Sequence, residues 1–179
     1  MENSFYTEAE LERIGFASIG KNVLLSRKVS VYSASTISIG NNVRIDDFCI
    51  LSGSISIGSF VHISAYVALY GAKGITLQDY SGVSAKTIVY SAIDDFGGEY
   101  LIGPMCSVET TNVMGGPVVL KKYTQIGASC VVLPNLTISE GSVVGAMSFV
   151  NRSLDSGGVY AGIPVRRIRD RSKSLKKWI

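Results

Sequence analysis

Ile39-Gly40-Asn41-Asn42-Val43-Arg44-Ile45-Asp46-Asp47-Phe48-Cys49-Ile50-Leu51 is the stretch that decides the fold. Ile39, Ile45 and Leu51 stand six residues apart, and the same step continues through Ile57, Ile63 and Leu69. Upstream it takes in Ile19, Leu25 and Val31. Downstream it resumes at Leu77, Val83 and Val89, and again at Leu120, Ile126, Val132, Ile138, Val144 and Val150. Every one of these positions is Ile, Leu or Val. The next residue is often glycine (Gly20, Gly40, Gly58, Gly127, Gly145), and four residues after the aliphatic comes a second small or apolar one, such as Val43, Cys49, Val61, Thr87, Cys130 or Ser148.

A two-residue alternation would give an ordinary half-buried strand. A six-residue unit with its first and fifth residues turned inward gives a short strand followed by a sharp bend, which glycine and small polar residues absorb. Three such units close one coil of a triangular prism, and successive coils stack as parallel strands ~4.8 Å apart. The pattern is all-β: a left-handed parallel β-helix of about six coils, an exception to the usual right-handed crossover. Cys49 and Cys130 fall on inward positions and need no redox role.

The register breaks three times. Two-residue insertions lie between Val31 and Ile39 and between Leu69 and Leu77, and 31 residues separate Val89 from Leu120. The surplus, from about residue 93 to 118, must leave the prism as a loop, and an insertion of that length is a candidate for function. Ahead of the first coil, Thr7 and Glu10 form a capping box for a short helix over residues 1–16, with Leu11 and Ile14 on one face, which would lid the open β edge. The prism then spans 17–160, followed over 161–179 by a tail and a C-terminal helix, read from the helical spacing of Ile168, Ser172, Leu175 and Ile179, which would cover the other end.

Composition agrees with this reading. Among 179 residues, 46% are hydrophobic and only 17% charged, against roughly 25% charged in ordinary domains. Val and Ile, 19 and 18 residues, outnumber 12 Leu, which speaks against a helical bundle. The net charge of +3 conceals an asymmetry, since Arg166 to Ile179 holds seven of the 17 basic residues. No basic patch interleaved with aromatics occurs elsewhere, so nucleic acid is not expected as a partner. Three cysteines without Cys-x-x-Cys spacing, an acidic N-terminal stretch and no long apolar run point to a cytoplasmic protein without a membrane span. His62 is the single histidine, so no three-histidine zinc site can form within one chain and no metal is expected.

Ile126-Gly127-Ala128-Ser129-Cys130-Val131-Val132-Leu133-Pro134, Val144-Gly145-Ala146-Met147-Ser148-Phe149-Val150 and Tyr160-Ala161-Gly162-Ile163-Pro164-Val165-Arg166-Arg167-Ile168 resemble the hexapeptide-repeat acyltransferases, in the branch of galactoside, maltose and xenobiotic O-acetyltransferases. The stretch from Tyr90 to Tyr100 is similar to sugar-acetylating members in polysaccharide synthesis. The resemblance implies a homotrimer, with acetyl-CoA in a groove between neighbouring prisms and a sugar or nucleotide-sugar acceptor beside the long loop. It assigns Gly127, Ala128, Ser129, Gly145, Ala146 and Met147 to the pantetheine arm, and Arg166 and Arg167 to CoA phosphates.

Acyl transfer needs a base and donors for the oxyanion. In the galactoside branch a histidine just before the long loop is the base; here that segment reads Tyr90-Ser91-Ala92 and places Asp94 where the histidine would be. His62, at a corner beside Gly82 and Gln125, is the other candidate base. Asp94 or Asp95 from a neighbouring loop would orient it, since the two lie at different corners of one prism. Asp95, Glu99 and Tyr100 are the expected sugar contacts. The expected activity is acetyl-CoA-dependent transfer of an acyl group to a hydroxyl (or amine) of a sugar in surface-polysaccharide synthesis. The alternatives are N-acetylation of a nucleotide-linked amino sugar, or a non-catalytic trimeric scaffold.

Overall fold

The computed structural model describes residues 4–172, 174 and 177. It is a parallel β-solenoid of about seven turns. The extra turn beyond the hexad count comes after Val150, where Leu154 bridges to Ile138 and Gly158–Ala161 pairs with Val143–Val144. Side one holds the column Ile39, Ile57, Leu77 and Leu120 in direct register. Side two stacks Val23–Leu25, Val43–Ile45, His62–Ile63, Gly82–Val83, Gln125–Ile126, Val143–Val144 and Gly158–Ala161. Side three aligns Leu51, Leu69, Val89, Val132 and Val150.

Sixteen of the eighteen hexad aliphatics are buried, and the two others, Ile19 and Val31 of the first coil, pack partly against the core. Each buried Leu, Ile or Val contributes about 1.5–3 kcal/mol through its removal from water. The second inward column changes from Val61 and Val67 in the upper coils to Ser81, Thr87, Thr124, Ser142 and Ser148 in the lower ones. Buried hydroxyls call for partners: Thr124 donates to Lys121 O and Ser142 to Asp155 O, Thr87 and Ser148 brace the corners described below, and Ser81 Oγ has no partner among the described residues.

The bend between sides one and two carries Asn22, Asn42, Phe60, Tyr80 and Tyr123, and the bend between sides two and three carries Phe48, Tyr66, Lys86, Ser129 and Met147, all with φ near +60°. The third bend absorbs every insertion. Its long excursion is ordered: Ala92–Asp94 pairs antiparallel with Val113–Gly115, Leu101 bridges Thr111, and Val108–Thr110 forms a 3-10 turn. The insertion is thus a hairpin arm.

Both ends of the solenoid are covered. The helix Glu8–Ile14 has the expected box, with the Glu10 N–H donating to Thr7 Oγ1 and the Thr7 N–H donating to Glu10 Oε2 at 2.8 Å, and it buries Leu11. The tail departs from expectation. Arg166–Asp170, read as the start of a helix, is a strand paired antiparallel with Gly158–Ala161. The last coil leaves an open β edge, and zipping a returning strand onto it satisfies backbone groups that a packed helix would leave bare. Ile168 is exposed on that strand, while Leu175 and Ile179, the rest of the expected helix, lie outside the described residues. No helix among the described residues is long and apolar enough to cross a membrane.

Candidate active site

The bend between sides two and three builds the site. At its lower end, Gly127-Ala128-Ser129 lies directly on Gly145-Ala146-Met147, joined by Gly127 N–H to Val144 O at 2.8 Å and Met147 N–H to Ala128 O at 2.8 Å. The layers touch closely enough that a Cβ on Gly127 would stand 2.5 Å from the Ala146 nitrogen, so only glycine fits. They are braced from inside. Thr87 Oγ1 donates to Gly127 O at 2.8 Å and accepts from Cys130 N–H at 3.1 Å. Ser148 Oγ donates to Gly145 O at 2.7 Å and accepts from Gly162 N–H at 3.1 Å. Burial pushes the Cys130 thiol pKa up, as suits a packing role. The outer surface of these layers is small-residue backbone edged by the exposed Met147 side chain, a track for a thin chain.

One layer further, Ala161 stacks on Gly145 and pairs with Arg166. The two arginines assigned to phosphates are not equivalent. Arg167 is already matched, with Asp170 Oδ1 at 2.6 Å, the Tyr160 hydroxyl at 3.3 Å and its guanidinium over the Tyr160 ring. Arg166 is exposed and, among the described residues, meets only the Val165 carbonyl, at 3.2 Å. Arg166 is therefore the cation available at the end of the track.

Above Gly127 the column turns polar. Ser84 occupies the layer over Gly127, its N–H bonded to Ile126 O at 2.9 Å, and Gln125 Nε2 reaches Ser84 Oγ at 3.0 Å. Higher still, His62 is in register with Gly82 and Gln125, as expected from the hexads. Its Nε2 lies 2.8 Å from Asp46 Oδ2, while Arg44 Nε holds Asp46 Oδ1 at 2.7 Å. Burial pushes the Asp46 carboxyl up, but the bonds from Arg44 and His62 outweigh it and hold the pKa below the usual value. His62 thus finds a carboxylate partner within its own chain.

The hairpin arm carries the remaining candidates. Asp94 sits at the end of its strand, opposite Val113, half-buried and with no protein hydrogen bond to its carboxylate among the described residues. Asp95 braces the arm: its Oδ1 accepts from Gly97 N–H at 2.8 Å and its Oδ2 from Asn112 Nδ2 at 3.1 Å. Asp95, Phe96, Gly98, Tyr100, Leu101 and Ile102 line an open, mostly apolar cavity of about 310 Å³; Glu99 is exposed beside it. The arm springs from the third bend and the glycine track lies on the second, so one chain brings together the track, Ser84 and His62, and keeps Asp94 apart from them.

Sequence reasoning missed Ser84, Asp46 and the role of Gln125. The signal for the first two was present: both follow the hexad aliphatic, the position that Gly127 and Gly145 fill lower down.

No family model matches the chain. A hexapeptide-repeat acetyltransferase of Vibrio cholerae, solved with acetyl-CoA, shares the fold at TM-score 0.66 and 22% identity over 96% of this chain and 81% of its own. The curated dTDP-4-amino-4,6-dideoxy-D-glucose acyltransferase of Escherichia coli is 39% identical over 175 residues, 96% of this chain and 91% of that one. The chain belongs to the hexapeptide-repeat, CoA-dependent acyltransferases. Within that class it is similar to AntD, an N-acyltransferase from Bacillus cereus, at TM-score 0.97 and 53% identity over 99% of this chain and 95% of the other. AntD has been solved with dTDP and 3-hydroxybutyryl-CoA, with dTDP-4-amino-4,6-dideoxyglucose and coenzyme A, and as S84A, S84C, S84T, D94A and D94N variants.

Proposed function

We propose that this enzyme N-acylates the amino group of a dTDP-linked 4-amino-4,6-dideoxy sugar, using an acyl-CoA, as a homotrimer in the cytoplasm. The observation that carries the reading is the end-to-end likeness to AntD, together with Ser84 and Asp94 standing at the numbers varied in that protein. The amine is the more specific of the two acceptors read from the sequence.

The pantetheine arm lies along Gly127–Ser129 and Gly145–Met147, with Arg166 on a CoA phosphate. The thioester carbonyl then falls where the glycine track gives way to Ser84. The sugar nitrogen attacks that carbonyl carbon, and the displaced electron pair moves onto oxygen, where the Ser84 hydroxyl donates to it. Asp94, supplied by the arm of a second copy, takes the proton from nitrogen. The C–S bond breaks, and the departing sulfur takes up that proton. Tyr100 and Glu99 contact the acceptor, and Asp95 keeps the arm in shape. His62, tied to Asp46, orients the acceptor.

A second reading rests on the 2.8 Å His62–Asp46 contact, which is competent to act as a base on a hydroxyl acceptor. A thiol-release assay decides between them, with acetyl-CoA and 3-hydroxybutyryl-CoA as donors and dTDP-4-amino-4,6-dideoxyglucose and its 4-hydroxy counterpart as acceptors. Turnover of the amine, with His62→Ala keeping kcat within about 5-fold, supports the first reading. Turnover of the alcohol alone, abolished by His62→Ala, replaces it with the second.

A further inference from the structure

We infer that Gln125 is a positioning residue that fixes the direction of the Ser84 hydroxyl hydrogen, and that Gly82 is the recess that lets it do so. The inference rests on the reading of Ser84 as a donor to the reacting carbonyl.

The geometry leaves one arrangement. Gln125 Nε2 lies 3.1 Å from the Ile126 carbonyl oxygen and 3.0 Å from Ser84 Oγ. A carbonyl can only accept, so the amide atom facing it is the nitrogen, and that nitrogen has two hydrogens. One goes to Ile126 O and the other to Ser84 Oγ. Ser84 is therefore an acceptor in this bond, and its own hydrogen is left to point elsewhere. No other side chain or carbonyl among the described residues receives it. The hydrogen is directed outward, over the glycine track.

The amide lies flat against side two only because position 82 has no side chain. A Cβ built on Gly82 would collide with Gln125 Oε1. His62, Gly82 and Gln125 are in register on three successive coils, so the gap between the first and last is filled by the glutamine amide rather than by a residue of the middle coil.

Fold alone does not call for this bond. The backbone ladder at this height is complete without it, through Ser84 N–H to Ile126 O and Gln125 N–H to Ser142 O at 3.1 Å. The lower layers of the same bend hold together with glycine at the corresponding position. A free serine hydroxyl samples several rotor positions, and a donor that must meet charge only as it develops works best when its direction is set beforehand.

The test is a comparison of Gln125→Glu with Gln125→Ala. The carboxylate has the same shape and no hydrogen to give, so Ser84 would turn its own hydrogen onto it and present lone pairs to the carbonyl. The isosteric change should therefore be worse than truncation: about 100-fold in kcat for Q125E and about 10-fold for Q125A, with KM for acyl-CoA within about 3-fold of wild type. Gly82→Ala, with Gln125 intact, should fall near Q125A. In a Ser84→Ala background neither glutamine change should cost more than about 2-fold. Melting curves confirm that each variant folds. If S84A lowers kcat while Q125E matches wild type or exceeds Q125A, or if the losses multiply in the S84A background, Gln125 does not position Ser84. If S84A itself retains wild-type kcat, the placement of Ser84 at the carbonyl fails, and this inference fails with it.

Discussion

Two bends of the prism share one backbone conformation and differ in what their side chains do. The bend between sides one and two is closed on itself. Asn41 Oδ1 accepts from Lys21 N–H, Ser59 Oγ from Asn41 N–H, and Asp79 Oδ1 from Ser59 N–H, each across one coil. Phe60, Tyr80 and Tyr123 then stack down the outside, with centroids 4.8 and 5.3 Å apart. The lower coils of the bend between sides two and three are tied from within, by Thr87 and Ser148, and outside them lie the small residues Gly127-Ala128 and Gly145-Ala146 below Ser84, edged by the Met147 side chain; the aromatic stack of this bend, Phe48 on Tyr66 at 4.9 Å, is confined to the upper coils. A polar ladder placed outside a corner stabilises it and fills it. The same bonds moved into the core leave the outside open to a ligand.

The largest effect should come from the bend that the proposed mechanism completes with the arm of a second copy. Asp94→Ala should lower kcat by about 10³-fold, and Ser84→Ala by about 10²-fold. Each alone should leave the other's function on the wrong subunit. Unfolding the two variants together and refolding them should restore about a quarter of wild-type activity, because in a random ring that share of interfaces joins an intact Ser84 to an intact Asp94. No recovery, in mixed trimers verified by mass, would place both residues in one subunit's site.

The braces come next. Thr87→Val keeps shape and removes the hydroxyl, leaving Gly127 O and Cys130 N–H without it. The expected cost is about 1–3 kcal/mol in chemical denaturation, with KM for acyl-CoA raised several-fold as the glycine layer relaxes. Asp79→Ala on the other bend should cost less than about 1 kcal/mol, since its ion pair with Lys122 is largely exposed, and should leave KM alone. Equal effects on KM would erase the distinction between the two corners.

How much of this was legible in the sequence follows from the period. The hexads locate Leu25, Ile63 and Val144 in the core because a fixed step fixes which side chain points inward, and the same step puts Gly127 above Gly145 and His62 beside Gly82. It cannot show which outward side chains reach across coils. Asp46 lies 16 residues before His62, and Gln125 lies 41 after Ser84, so neither contact has a local signature. The arm's hairpin was hidden for a related reason: Ala92–Asp94 and Val113–Gly115 pair across a segment with no period at all. The tail was misread because Ile168 and Ser172 have helical spacing, while the open edge of the last coil, which captures Arg166–Asp170 as a strand, exists only in three dimensions.

Two smaller effects sharpen the contrast. Arg166→Ala should raise KM for acyl-CoA about 3- to 10-fold, more at low than at high salt, through loss of an exposed phosphate contact. Arg167→Ala should leave KM unchanged, because its charge is taken up by Asp170 and Tyr160. If Arg167 proves the one that matters, the track runs on the far side of the tail strand.

The smallest effect is a pH dependence that Asp79 brings to the first of these bends and that the Thr87 brace cannot bring to the second. The Ser59 N–H and then the Lys122 ammonium hold the Asp79 carboxyl below its ordinary pKa. A carboxyl depressed in the folded state contributes stability above its unfolded pKa, near 4, and loses it as pH falls through the lower folded value. Melting temperature should therefore fall on acidification below about pH 4, and Asp79→Asn, which keeps an oxygen for Ser59 N–H but cannot titrate, should flatten part of that limb. Thr87→Val should lower the whole curve without changing its slope in the same window, since a hydroxyl does not titrate there. A Thr87→Val curve that flattened in acid would show that the two bends are coupled through the coils between them, rather than tied independently from outside and from within.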